Sequence, residues 1–207
     1  MRTAVLALLG LTAPLAAASE WRIEAATGTA HNFGSSLTLE LAGRPETQLD
    51  ADWETRPFDG AIYYSLRVSR FERGGGWELQ LLHHKLYLAN PSPPVGRFEV
   101  SHGYNLVTVA RALERDGFTG RVGLGVVVAH PETLIDGQAQ PADHSGYVLT
   151  GPAVVLGAGR TLDLGRRVFL HGEIALSAAW ARVPVANGRA RVPNWAAHAL
   201  VGLGVRL

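Results

Sequence analysis

From residue 61 to residue 207, apolar and polar side chains alternate with a period of two in segment after segment, and Gly, Pro and Asp punctuate the breaks. That period is the signature of half-buried strands. Strands are expected near 61–72, 76–88, 97–113, 118–130, 147–162, 167–182 and 194–207, with at least one more in 21–43, which makes eight. In 167–182, Val168, Leu170, Ile174, Leu176, Ala178 and Trp180 share one face, against Phe169, His171, Glu173 and Ser177. In 194–207, Trp195, Ala197, Ala199, Val201, Leu203 and Val205 oppose Asn194, His198, Gly202, Gly204 and Arg206.

The connections alternate in length. Arg73–Gly75, Glu114–Gly117 and Asp163–Arg166 are short, whereas Gly43–Asp59, Ala89–Gly96, Pro131–Ser145 and Pro184–Val192 are long. An even strand number with alternating short and long connections is the plan of a bacterial outer-membrane barrel. The expected fold is therefore all-β, an antiparallel up-and-down transmembrane β-barrel of eight strands. A second possibility sits at the N-terminus. Trp21, Ile23, Ala25, Phe33, Leu37, Leu39 and Leu41 keep one parity across 21–41, which is long for one crossing. This stretch is one protruding strand, a strand plus a loop, or a hairpin turning at His31–Ser35; with a strand at Leu49–Thr55, the hairpin gives ten strands.

Residues 1–18 have Arg2, an apolar run from Val5 to Leu15, and Ala16-Ala17-Ala18, the pattern of a secretory signal peptide. The barrel domain is then 19–207. Placement in the bacterial outer membrane follows, with outer-membrane lipid, lipopolysaccharide and the barrel assembly machinery as expected partners. The chain ends in Val205-Arg206-Leu207, where such barrels usually carry a terminal aromatic. Trp77 and Tyr87, and Trp180 with Trp195, are placed to form aromatic girdles.

Composition narrows the chemistry. The 207 residues contain no Cys, which excludes disulfides and thiolate chemistry. A net charge of +1 gives no reason to expect nucleic acid. Lys85 is the sole lysine in the chain.

Alternation assigns Tyr63, Arg67, Glu78, Gln80, Glu99, Asn105, Arg121, His171, Glu173, Asn194, His198 and Arg206 to the lumen, with His84. Eight strands leave an interior just wide enough for side chains. The lumen is then a plug of balanced ion pairs, or a small site in which His171, Glu173 and His198 hold a divalent metal.

A second candidate lies where lipid is expected. On apolar parity, His83 and Lys85 of one strand, His102 and Tyr104 of the next, and His130 of the third gather near the upper rim, unless a bulge in 99–105 redirects His102. Lys85 and protonated His suit phosphates, and His102 or His130 suits a general base. Ser101 and His102 point to opposite faces.

The block LQLLHHKLYL … FEVSHGYNLVTV … GPA … GE … PNWAAH resembles the layout of lipid A-modifying outer-membrane barrels, most similarly the lipid A oxidase-like ones. That resemblance implies oxidation of a glucosamine of lipid A with oxygen and a divalent metal. Two functions stay open at this point: a structural or interaction protein touching lipopolysaccharide, or a lipid A-modifying enzyme using a His-rich site.

Overall fold

The computed structural model describes residues 19–140 and 146–207; the expected signal peptide and 141–145 of the third long connection lie outside the described residues. The described residues form thirteen strands: β1 (Glu20–Phe33), β2 (Ser35–Leu41), β3 (Thr47–Ala51), β4 (Trp53–Glu54), β5 (Tyr64–Glu72), β6 (Gly75–Leu88), β7 (Val95–Arg115), β8 (Phe118–Ala129), β9 (Glu132–Ile135), β10 (Gln138–Ala139), β11 (Val148–Asp163), β12 (Val168–Val185) and β13 (Gly188–Arg206).

Eight of them close a ring. β1 pairs with β5, then β6, β7, β8, β11, β12 and β13 follow in antiparallel order, and β13 pairs back onto β1. Of the five short strands, β2 continues β1 along β13 and the other four belong to the long connections, so the ten-strand alternative is not what the chain adopts: eight strands cross. Following paired positions once around from Ile23, through Val68, Leu79, Val109, Leu124, Val154, Ala178 and Trp195, returns to Phe33, ten residues further along β1. With usual strand spacings that offset sets a tilt of about 41°. It also fixes a narrow interior.

Every residue on that circuit is apolar and faces outward. Ile23, Val68, Leu79, Val109, Leu124 and Trp195 are 42–66% exposed, and Leu176, Val201 and Leu203 continue the wall. An outer wall this apolar has hydrocarbon as its solvent, whereas a water-soluble barrel would bury these side chains. At one end the strands join through tight turns. Arg73-Gly74 and Asp116-Gly117 have positive φ at both positions, the two-residue geometry that suits strand twist. This is the short-turn, periplasmic end.

Above the belt the sidedness reverses. Outward positions become Arg182, Arg189, Arg191, Glu40 and Glu46, while Leu37, Leu39, Phe98, Val100, Ile135, Val183 and Val192 are buried inside. The upper part is an extracellular cap built as a water-soluble barrel would be, polar outside and apolar within. Two irregularities arrange this. Between Phe33 and Thr38 the chain spends five steps against four on β13, from Trp195 to Arg191. This one-residue bulge at Gly34 turns the odd-numbered residues from lipid to core, so the unbroken parity of 21–41 describes a single protruding strand whose face changes. The second is the bulge at 101–103 in β7, with Gly103 at φ 131°.

The expected long loop Pro184–Val192 is instead strand, turning at Ala186-Asn187. On 98–106 the apolar parity expected to face lipid faces the cap interior, apart from His102: Phe98, Val100, Tyr104 and Leu106 are all 1% exposed or less. An apolar face on a strand does not say which side of the wall is apolar.

Candidate functional site

The lower lumen is filled by ion pairs. Glu24, Glu78 and Glu173 surround the guanidiniums of Arg67 and Arg121, and all five are at most 8% exposed. Arg67 donates to Glu24 at 2.9 Å and to Glu173 at 2.7 Å. Arg121 donates to Glu78 at 2.8 Å and also to Glu173. Sharing carboxylates between forks compensates the cost of burying each charge. Nearer the periplasmic mouth, Arg22 pairs with Glu114 and lies 4.3 Å from the centre of the Phe71 ring. The cavity left among these groups is about 10 Å³, room for about one water.

A second polar layer lies above it, without formal charge pairs. His198 Nδ1 shares a 2.6 Å hydrogen bond with the Tyr63 hydroxyl, and its Nε2 shares one of 2.7 Å with Ser177. Asn32 Oδ1 accepts from Asn194 at 3.0 Å and from His84 Nε2 at 2.9 Å. Because amide oxygens only accept, Nε2 is the protonated nitrogen of His84. Tyr104 closes the layer by donating to the Val192 carbonyl at 2.8 Å.

These contacts decide the metal candidates. His171, Glu173 and His198 do not form a ligand set. Both ring nitrogens of His198 are engaged by Tyr63 and Ser177, and Glu173 accepts from two arginines. His171 Nε2 stands 3.7 Å from Glu24. Among the described residues no group of three or more His, Asp or Glu side chains could hold a metal ion. The oxidase-like resemblance implied a metal, and the lumen residues present do not fit one.

The five rim candidates separate into three environments. Tyr104 points inward, as above. Lys85 faces outward but is covered: its ammonium donates to the carbonyls of Arg56 (2.9 Å) and Asp59, under the 55–63 segment that joins β4 to β5. Tyr87 lies beside it, 6% exposed, and donates to Asp59 at 3.2 Å, so it is no girdle residue. His83 is 4% exposed and stacks on Tyr64 at 4.8 Å. The upper girdle is instead Phe33, Trp180 and Trp195, each 44–46% exposed.

His102 and His130 do come together, on the outside of the wall. The bulge lifts His102 outward, and its ring lies 5.3 Å from that of His130. Glu132 places a carboxylate 2.7 Å from His102 Nδ1. Tyr147 packs edge-on against His130 at 5.0 Å and donates to the His102 carbonyl at 2.9 Å. The side chain of His102 is 54% exposed, so this patch alone among the rim candidates offers an imidazole to the outer leaflet.

Several residues of these sites escaped the sequence reading. Arg22 and Glu24 sit in the parity opposite Trp21 and Ile23, so the signal was present. Glu132 and Tyr147 lay in or beside a connection read as loop, and only the third dimension brings them to His102. Asn105 and Glu99, expected in the lumen, pair with outward residues His83 and Tyr87.

No protein family and no curated protein matches the chain in sequence. Solved structures similar to it include the following three. The attachment invasion locus protein Ail of Yersinia pestis is 12% identical, with 91% of this chain and 97% of Ail covered at a TM-score of 0.39. Neisserial surface protein A is 9% identical over the same shares, at 0.40. OmpT of Vibrio cholerae is 12% identical, covering 89% of this chain and 52% of its own, at 0.33. That the chain is an outer-membrane β-barrel follows from its own closed ring and apolar wall.

Proposed function

We propose that this protein is a sealed outer-membrane barrel that works through its outer face, as a structural or interaction protein in contact with lipopolysaccharide. The observation that carries the reading is the lumen: an ion-pair layer and a His/Asn/Tyr layer fill it in series, and the cavity among the lower ion pairs is about 10 Å³. A solute has no path, and buried imidazoles such as His198 have no access to a substrate. What the protein offers to a partner lies on the wall and the cap. At the top of the belt, Arg182, Arg189 and Arg191 face outward, at the level where lipid A phosphates lie. Arg182 and Arg191 pair with Glu40, and Arg191 also with Glu46; the guanidinium donors these pairs leave free match phosphate oxygens. Insertion by the barrel assembly machinery belongs to the same reading.

The test is co-purification of lipopolysaccharide with the folded barrel, beside single-channel recording. Retained lipopolysaccharide that falls in Arg182→Gln/Arg189→Gln/Arg191→Gln, with no unitary conductance, supports the proposal. Stable conductance, or retention unchanged in the triple variant, overturns it.

One observation favours a second reading, a lipid A-modifying enzyme. His102 and Glu132 form an exposed imidazole–carboxylate pair beside His130, and a carboxylate on Nδ1 fixes the tautomer that leaves Nε2 as a proton acceptor. Mass spectra of lipid A from cells with and without the protein decide it. A mass change abolished by His102→Ala would establish the enzyme; identical spectra would remove it.

A further inference from the structure

The periplasmic end of the wall carries a pattern that neither reading uses. Trp21 pairs with Arg70, Arg70 with Trp77, and Trp77 with Arg111. The row runs across four neighbouring strands, β1, β5, β6 and β7, and all four side chains face outward. Aromatic and guanidinium alternate, with the Arg70 guanidinium 5.8 Å from the Trp21 ring centre and that of Arg111 5.7 Å from Trp77. Each arginine is thus held on an indole face while its donors remain free.

Snorkelling arginines at a membrane boundary need no ligand. Here they also border a groove of about 870 Å³ on the outer wall. Gly75 lowers its floor: a Cβ there would stand 2.5 Å from Arg111 Nη2, so the absent side chain is what lets that guanidinium lie down. Towards the middle of the membrane the groove is walled by Val68, Leu79 and Val109, each 42–55% exposed. Towards the periplasm it carries Arg73 and one carboxylate, Glu72. No ion pair joins Arg70, Arg73 or Arg111 to a carboxylate among the described residues.

We propose that this groove binds one anionic glycerophospholipid of the periplasmic leaflet. Its phosphodiester sits between Arg70 and Arg111, and an acyl chain lies along Val68, Leu79 and Val109. The occupant follows from the groove's two ends. An apolar floor continuous with the lipid-facing wall takes a chain, and unpaired guanidiniums at the headgroup level take an anion. A headgroup of net charge −1 is favoured over a zwitterion because it carries no cation to repel them.

The experiment is native mass spectrometry of the detergent-folded full barrel, titrated with phosphatidylglycerol or with phosphatidylcholine of the same chains. One retained phosphatidylglycerol, preferred over phosphatidylcholine, is expected. Arg70→Gln and Arg111→Gln should each weaken it about fivefold, near 1 kcal/mol per surface arginine. Gly75→Ala, which displaces Arg111 without removing charge, should weaken it too. Arg160→Gln is the control: Arg160 also stacks on an outward aromatic, Phe118, at 4.8 Å, but stands on β11, away from the groove. Heat-modified gel mobility confirms folding of each variant. Equal retention of both lipids, a double Arg70→Gln/Arg111→Gln variant that keeps the preference, or an equal loss in Arg160→Gln would overturn the proposal.

Discussion

Trp180 and Trp195 meet edge to face across β12 and β13, with 5.3 Å between ring centroids. Just above them Arg182 stands opposite Arg191. Glu40 bridges the two arginines, pairing with Arg182 and, at 3.1 Å, with Arg191 Nε. Within one turn of side chains the outer wall passes from indole to guanidinium, and the inner wall from Ser177 and His198 to Val183 and Val192.

Glu173 holds two guanidiniums at once, so Glu173→Gln should be costly. Arg67 and Arg121 keep Glu24 and Glu78 but lose their shared anion, and breaking a buried pair costs about 3 kcal/mol or more. Urea unfolding of the barrel in vesicles should show the loss; an unchanged midpoint would mean the remaining carboxylates suffice.

His198→Phe conserves bulk but strands the Tyr63 hydroxyl and Ser177. Unsatisfied buried polar groups cost about 1–3 kcal/mol each. The same unfolding assay should place this variant below wild type, and Tyr63→Phe combined with Ser177→Ala should recover much of the loss.

Lys85 clamps the 55–63 segment through backbone carbonyls, so Lys85→Met should free that segment without opening the ring. Phe58 is 72% exposed, which makes it the reporter. Limited chymotrypsin digestion should cut after Phe58 faster in the variant, while heat-modified mobility stays unchanged. Equal cleavage would show that the ammonium does not hold the segment.

Gly103→Ala should disturb the rim patch. At φ 131° an L side chain is strained, and its Cβ would stand 2.2 Å from Asn105 Nδ2. A cost of about 1–3 kcal/mol is expected. Loss of the His102–Glu132 contact should follow, read as a changed His102 imidazole resonance in NMR.

The ring of eight was legible because each strand obeys alternation independently, and the hairpin dipeptides Arg73-Gly74 and Asp116-Gly117 announce themselves. What sequence could not give was the side on which an apolar face lies. Along β7 the apolar pair changes parity, from Tyr104 and Leu106, which face the interior, to Val107 and Val109, which face the lipid. The choice depends on height in the barrel, which a single strand does not carry. Gly34 is the clearest case: one residue inserted in a continuous ladder turns Leu37 and Leu39 inward while the written pattern runs on unbroken. The His102 patch was half legible, since two of its members were expected at the rim, but Lys85 and His83 lay beneath a segment that sequence shows only as a connection.

The reversal at the Trp180–Trp195 level makes insertion one-way. Once the cap has closed outside the cell, sliding the barrel back would drag Glu40, Arg182 and Arg191 into hydrocarbon, at about 2–4 kcal/mol for each arginine reaching the midplane. It would also open the Leu37–Leu39–Val183 interior to be rebuilt in an apolar solvent that offers it no driving force. Sliding outward would carry Arg70 and Arg111, together with their tryptophans, into the same layer. The barrel is stoppered at both ends, by cations that face opposite solvents.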